Sequence, residues 1–169
     1  MRVLKKFSDL SLSQKILEGL SLALLAGMFL GPLIFWGRIP SQIPGHYNAA
    51  GEIDRWGGKA ELLLLPVVSV FMYVFMTFCI ALIHKPIRKG ELPASAYYWL
   101  ECLKLSVLAD FAMIEWSIAT LRLLGAWFTL VSIAVPGVLV AGFLITTIRF
   151  AIGQSRTPNA PNTPHNSSL

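Results

Sequence analysis

Apolar residues in this chain gather into long blocks instead of alternating with polar ones. Uncharged stretches cover residues 19–37, 62–83 and 123–148, and a fourth apolar region, about residues 97–121, is interrupted by charges. A helix crosses a bilayer with roughly 20 apolar residues. The pattern therefore predicts an all-α integral membrane protein, a bundle of four transmembrane helices with an ordered extracytoplasmic loop between the first two. It divides the chain into an interfacial segment (1–18), a two-helix unit (19–84) carrying the loop 38–59, a second helical pair (85–153) and a disordered cytoplasmic tail (154–169).

The chain ends refine this picture. Val3, Phe7, Leu10 and Leu17 recur at helical spacing among Arg2, Lys5, Lys6 and Lys15, which suits a short helix lying on an anionic leaflet. Ser11 and Gln14 have the spacing of a capping box, placing a helix start near Leu12. A cleaved signal peptide is the rival reading, but the apolar run ends in Phe35, Trp36, Gly37 and Arg38 and offers no small-residue cleavage site. In the first span Ala23, Gly27 and Gly31 are expected to let another helix approach closely, with Pro32 bending the helix beyond them; Pro136, Gly137, Ala141 and Gly142 form a similar set in the last span.

Composition agrees with the block pattern. Of 169 residues, 55% are hydrophobic and only 14% charged, whereas a soluble domain carries about 25% charged residues and disorder needs more still. Four spans leave no space for a soluble domain of ordinary size, and the expected partner is a lipid bilayer, not nucleic acid. Basic residues in short loops stay cytoplasmic. Nine of fourteen (Arg2, Lys5, Lys6, Lys15, Lys85, Arg88, Lys89, Arg149, Arg156) fall on one side, and Arg38, Arg55, Lys59 and Arg122 on the other, with Lys104 inside a span. Both termini are thus predicted to be cytoplasmic. Cys79 and Cys102 lie in apolar spans without metal-ligand spacing, and the Asn166 sequon would face the cytoplasm.

The first loop is the richest in chemistry. Pro40 and Pro44 impose extended chain, Asn48 and Gly51 suit a tight turn, and Trp56 and Lys59 suit the return to a membrane interface. A hairpin cap follows, with Ile39, Ile43, Tyr47, Ile53 and Trp56 as its apolar side. The segment resembles the bacterial membrane-protein domain of unknown function 1648, which also forms the N-terminal region of SdpI-type immunity proteins. Pro40 (at a slightly different spacing), Ile43, Pro44, His46, Tyr47, Asn48, Gly51, Asp54, Trp56, Gly57 and Lys59 match that family's pattern, and the resemblance covers about residues 20–85. It implies a membrane protein without enzymatic activity that recognises a secreted peptide or another membrane protein.

Read from the residues alone, His46, Glu52 and Asp54 are candidate metal ligands, and His46 with Asp54 a candidate acid/base pair. Their spacing matches no known zinc or calcium loop. The plainer alternative has His46, Asn48 and Asp54 bonding their own turns, with Arg55 or Lys59 pairing Asp54. No cofactor, nucleophile motif or phosphate-binding loop is expected.

Charges inside the third span carry the second signal. Each costs about 2.5–3.5 kcal/mol at mid-bilayer on insertion scales. At 100° per residue, Lys104, Glu115 and Arg122 share one stripe within about 20°, Glu101 reaches Lys104 one turn away, and Asp110 points about 120° aside. Asp110 then needs a partner from another helix, a proton or water. Ser69, Tyr73 and Thr77 form a polar stripe on the second span, and Tyr73 is expected to bond Asp110 or Glu115. Two functions stand ahead: recognition through Pro44, His46, Asn48, Gly51, Asp54, Trp56 and Lys59, or a small transporter or ion-conducting bundle using Asp110 and Glu115.

Overall fold

A computed structural model describes residues 11–83 and 92–155. The basic residues of the first ten positions, of the loop after the second span and of the tail beyond Ser155 lie outside it, and so does the interfacial helix expected there. Four helices are present: α1 (Leu12–Phe35), α2 (Leu64–Ile83), α3 (Ala94–Ala119) and α4 (Gly125–Ser155). The segments Leu12–Arg38, Lys59–Ile83 and Gly125–Ser155 are long and apolar enough to cross a membrane. The charges of α3 keep it out of that set.

The predicted start of α1 is present. Ser11 is its N-cap, the Gln14 N–H donates to Ser11 Oγ at 3.3 Å, and the Ser11 N–H donates to Gln14 Oε1 at 3.0 Å. These bonds satisfy donors that a helix start otherwise leaves open. α3 is the central element and packs against each of the other three helices. Outward faces carry large apolar side chains, among them Leu33, Phe71 and Leu130.

The all-α expectation needs one correction. The first loop holds two antiparallel strands, β1 (Gln42–Tyr47) and β2 (Ile53–Gly58), paired from Gln42 with Gly58 to Tyr47 with Ile53. Two prolines and a run of β-branched and aromatic residues keep this segment extended. Ile43, buried, packs with Ile39, Leu62 and Ile118, while Tyr47, Leu65 and Ile114 close the cluster. The hairpin thus rests on the adjoining ends of α2 and α3. Trp56 is not part of the buried side: it is 55% exposed.

Three residues in left-handed backbone, Gly51, Leu121 and Gly125, lie where the hairpin meets the last helix pair. Gly51 (φ 75°) closes the turn by donating its N–H to Asn48 O, and its carbonyl accepts the Gly125 N–H at 3.3 Å. A Cβ on Gly51 would lie 2.3 Å from Gly125 N. Leu121 (φ 55°) ends α3: the Arg122 N–H donates to Ser117 O at 2.9 Å and the Leu121 N–H to Ile118 O at 3.3 Å. This pairing of bonds usually employs glycine at the left-handed position. Substitutions at Gly51 and Leu121 should therefore act in opposite directions. Gly51→Ala is expected to lower the thermal unfolding midpoint by undocking the hairpin, and Leu121→Gly to raise stability by about 1 kcal/mol, both measured on purified protein in detergent.

Candidate functional site

Two groups of polar residues stand out, one on the hairpin and one between the helices. On the hairpin, Asn48 organises the turn by accepting the N–H groups of Ala50 (2.9 Å) and Glu52 (3.0 Å) on its side-chain oxygen. Its amide donates to Glu52 Oε2 at 3.2 Å. His46 Nδ1 lies 2.6 Å from Asp54 Oδ1, and both side chains are exposed. The expected His46–Asp54 pair is therefore present, while Glu52 is held by Asn48. Among the described residues no three His, Cys, Asp or Glu side chains are grouped to hold a metal.

Arg55 does not pair Asp54. Its guanidinium donates to Gly45 O (2.7 Å) and Glu61 Oε2 (2.8 Å), while Glu61 Oε1 accepts the Gly58 N–H at 3.0 Å. The neighbouring Glu61 carboxylate raises the Arg55 pKa above its ordinary value. Gly45 and Gly57 make room for this arrangement, since a Cβ on either would strike Arg55 or Glu61. Lys59 turns away as well, donating to Trp36 O with its ammonium 4.5 Å from the Trp36 ring centre. Tyr47 donates to Arg122 O at 3.0 Å, and burial raises its pKa, so the phenol remains a donor at neutral pH.

Beneath the hairpin is a cavity of about 590 Å³, with Pro44, His46, Asn48 and Arg55 on one side and Leu65, Ile114 and Phe128 on the other. Pro44 is fully buried. Asp54 and Trp56, two apart on β2, are both exposed, and His46 reaches from the cavity to Asp54.

Between the helices, Lys104 is fully buried. Its ammonium meets Glu18 Oε2 at 2.6 Å and Glu101 Oε2 at 2.7 Å, lies 3.5 Å from Thr77 Oγ1, and sits 5.0 Å from the Tyr73 ring centre. The Glu101–Lys104 contact is the expected one. Tyr73 corrects its expectation: it donates to Glu18, not to Asp110 or Glu115. The reason is placement, because Glu18 lies within the continuous helix α1 and faces α2 and α3. Asp110 is bonded by α4, accepting from Ser132 Oγ at 3.0 Å. This is the partner from another helix that its angle on α3 demands.

Glu115 is 4% exposed, and both its carboxylate oxygens lack a hydrogen-bond partner among the described residues. The small-residue stripe of α1 corrects another expectation. No helix closes on Gly27 or Gly31, and a Cβ on either would meet nothing within 4 Å. Ala23, Gly27 and Gly31 line a second cavity, of about 600 Å³, together with Glu115. In α4 the expectation holds at Gly142, where a Cβ would lie 3.0 Å from the Trp99 ring, and Trp99 Nε1 donates to Thr146 at 3.1 Å. Sequence reasoning missed Glu18, Ser132 and Glu61. Glu18 could have been found as an acid directly abutting an uncharged run.

Residues 23–70 match the family model described as Domain of unknown function (DUF1648). That DUF1648 match contains most of α1, the whole hairpin and the start of α2. An uncharacterized protein of Archaeoglobus fulgidus is 41% identical over 61 residues, which is 36% of this chain. The matched part spans 33% of that relative's length. No solved structure matches the chain.

Removing one partner of a buried ion pair costs about 3–5 kcal/mol, because the remaining charge is left without compensation. Lys104→Met should therefore destabilise the bundle by about that amount. Adding Glu18→Gln and Glu101→Gln should recover part of the loss, as read from unfolding curves in detergent.

Proposed function

We propose that this chain is a non-enzymatic membrane protein that recognises an extracytoplasmic peptide or partner protein through the exposed side chains of its hairpin. In this reading all four helices cross the membrane, the termini are cytoplasmic and the hairpin lies outside the cell. The distribution of basic residues supports that orientation. The observation that carries the reading is the exposed His46–Asp54 pair at the cavity, on a hairpin that also exposes Trp56 and is fixed at several points to the helices beneath.

With Nδ1 engaged by Asp54, His46 keeps Nε2 free to bond a ligand, and exposed Trp56 offers an apolar surface on the same hairpin. Pre-ordering lowers the conformational cost of binding. The resemblance to SdpI-type proteins favours a secreted peptide as the ligand and immunity or signalling as the outcome. Transport through a relay of Asp110 and Glu115 has less support, because Asp110 is bonded by α4 and Glu115 faces the cavity lined by α1.

A photoreactive residue in place of exposed Ala50 tests the reading in living cells. The expected result is a discrete adduct with one peptide or envelope protein, lost in His46→Ala and Trp56→Ala chains that still reach the membrane. An adduct of equal strength in those variants, or none in the wild type, contradicts it. Orientation is checked separately. With Cys79 and Cys102 replaced by Ala, Ala50→Cys should react with a membrane-impermeant maleimide on intact cells.

A further inference from the structure

The second cavity joins two features that a bundle of this kind would not place together by packing alone. Its α1 wall is made of Ala23, Gly27, Gly31 and Pro32, and its α3 wall includes Glu115 and Trp116. The Glu18–Lys104 bond sets the register between these two helices. From Lys104 to Glu115 is eleven residues along α3, and the same step from Glu18 along parallel α1 reaches Phe29, a rise of about 16 Å on both helices. Glu115 is therefore level with the gap between Gly27 and Gly31.

Small residues beside a partner helix gain by close packing. Here no helix closes on them, and the space is retained. A carboxylate in a mostly apolar wall is costly against lipid chains alone, and Glu115 has no donor from the protein among the described residues. We infer that the cavity between α1 and α3 is a binding site for a hydrophobic amine, whose ammonium donates to Glu115 and whose apolar body lies along the Ala23, Gly27 and Gly31 stripe. An ammonium carries both the charge and the N–H donors that the carboxylate lacks, and charge-assisted bonds of this kind are the stronger ones. A volume of about 600 Å³ falls among pockets that take small organic ligands, about 300–1,000 Å³. Arg38, in the short turn after α1, lines the same cavity, but its guanidinium lies 5.7 Å from the Phe35 ring centre and makes no hydrogen bond to Glu115.

The test uses the full chain in phosphatidylcholine nanodiscs, with radiolabelled decylamine as the probe and empty nanodiscs as the baseline. Saturable binding near one molecule per chain is expected. Decanol should not compete, and decyltrimethylammonium, which has charge without N–H donors, should compete at least tenfold more weakly than decylamine. Glu115→Gln keeps the side-chain shape and should lower affinity at least tenfold. Gly27→Leu, which fills the cavity from the opposite wall, should abolish binding, with the thermal unfolding midpoint of each variant confirming that it is folded. Binding no greater than in empty nanodiscs overturns the proposal. So does equal competition by decanol, which would mean occupancy by a lipid-like chain only, or undiminished binding in both folded variants.

Discussion

A single buried ammonium holds this structure in register. Lys104 is removed from solvent completely, and such a charge is tolerated only where opposite charges and hydrogen bonds surround it. α1 contributes Glu18, α2 contributes Tyr73 and Thr77, and α3 contributes Glu101 one turn before the lysine itself. Three helices are thereby committed to one relative height. Sliding α1 against α3 by a turn would part Glu18 from Lys104 in a medium that cannot solvate either charge, and sliding α2 would remove the hydroxyls beside them. The position of Glu115 opposite the small residues of α1 is a consequence of that height.

The opposite end is organised by backbone groups and a small apolar core. Ile43 anchors the hairpin among Ile39, Leu62 and Ile118, and three bonds reach outward from it: Tyr47 to Arg122, Gly125 to Gly51, and Lys59 to Trp36. Each of these employs a main-chain atom of the helix ends. The outward side chains of the hairpin are left free to vary in chemistry without loosening its attachment. Rigidity below and choice above is the division expected of a recognition loop on a fixed scaffold.

Much of this was legible in the sequence where the signal is local. The capping box at Ser11, the extended loop with its Asn48 and Gly51 turn, and the contact of Glu101 with Lys104 all depend on residues within a few positions of one another. Helical angles also told that Asp110 and Glu115 face different neighbours. What stayed hidden needs relations between distant segments. Glu18 reads as the end of a basic amphipathic stretch until α3 is laid beside it, and Tyr73 looks toward the acids of α3 only while Glu18 is ignored. The small residues of α1 have the same spacing whether a helix or a cavity faces them, so periodicity cannot decide between the two. Arg55 likewise had two nearby acids to choose from, and the glycines at 45 and 57 favoured Glu61.

The bond between Gly51 and Gly125 bears on the order in which the chain is made. The hairpin leaves the ribosome well before α4 does, so during synthesis its turn lacks the dock it later occupies. Until the third turn of the bundle emerges, the Gly51 carbonyl and the Tyr47 hydroxyl must be served by water. The last helix therefore completes a structure begun by the first two, and a chain released before α4 would carry every residue of the hairpin without its final geometry.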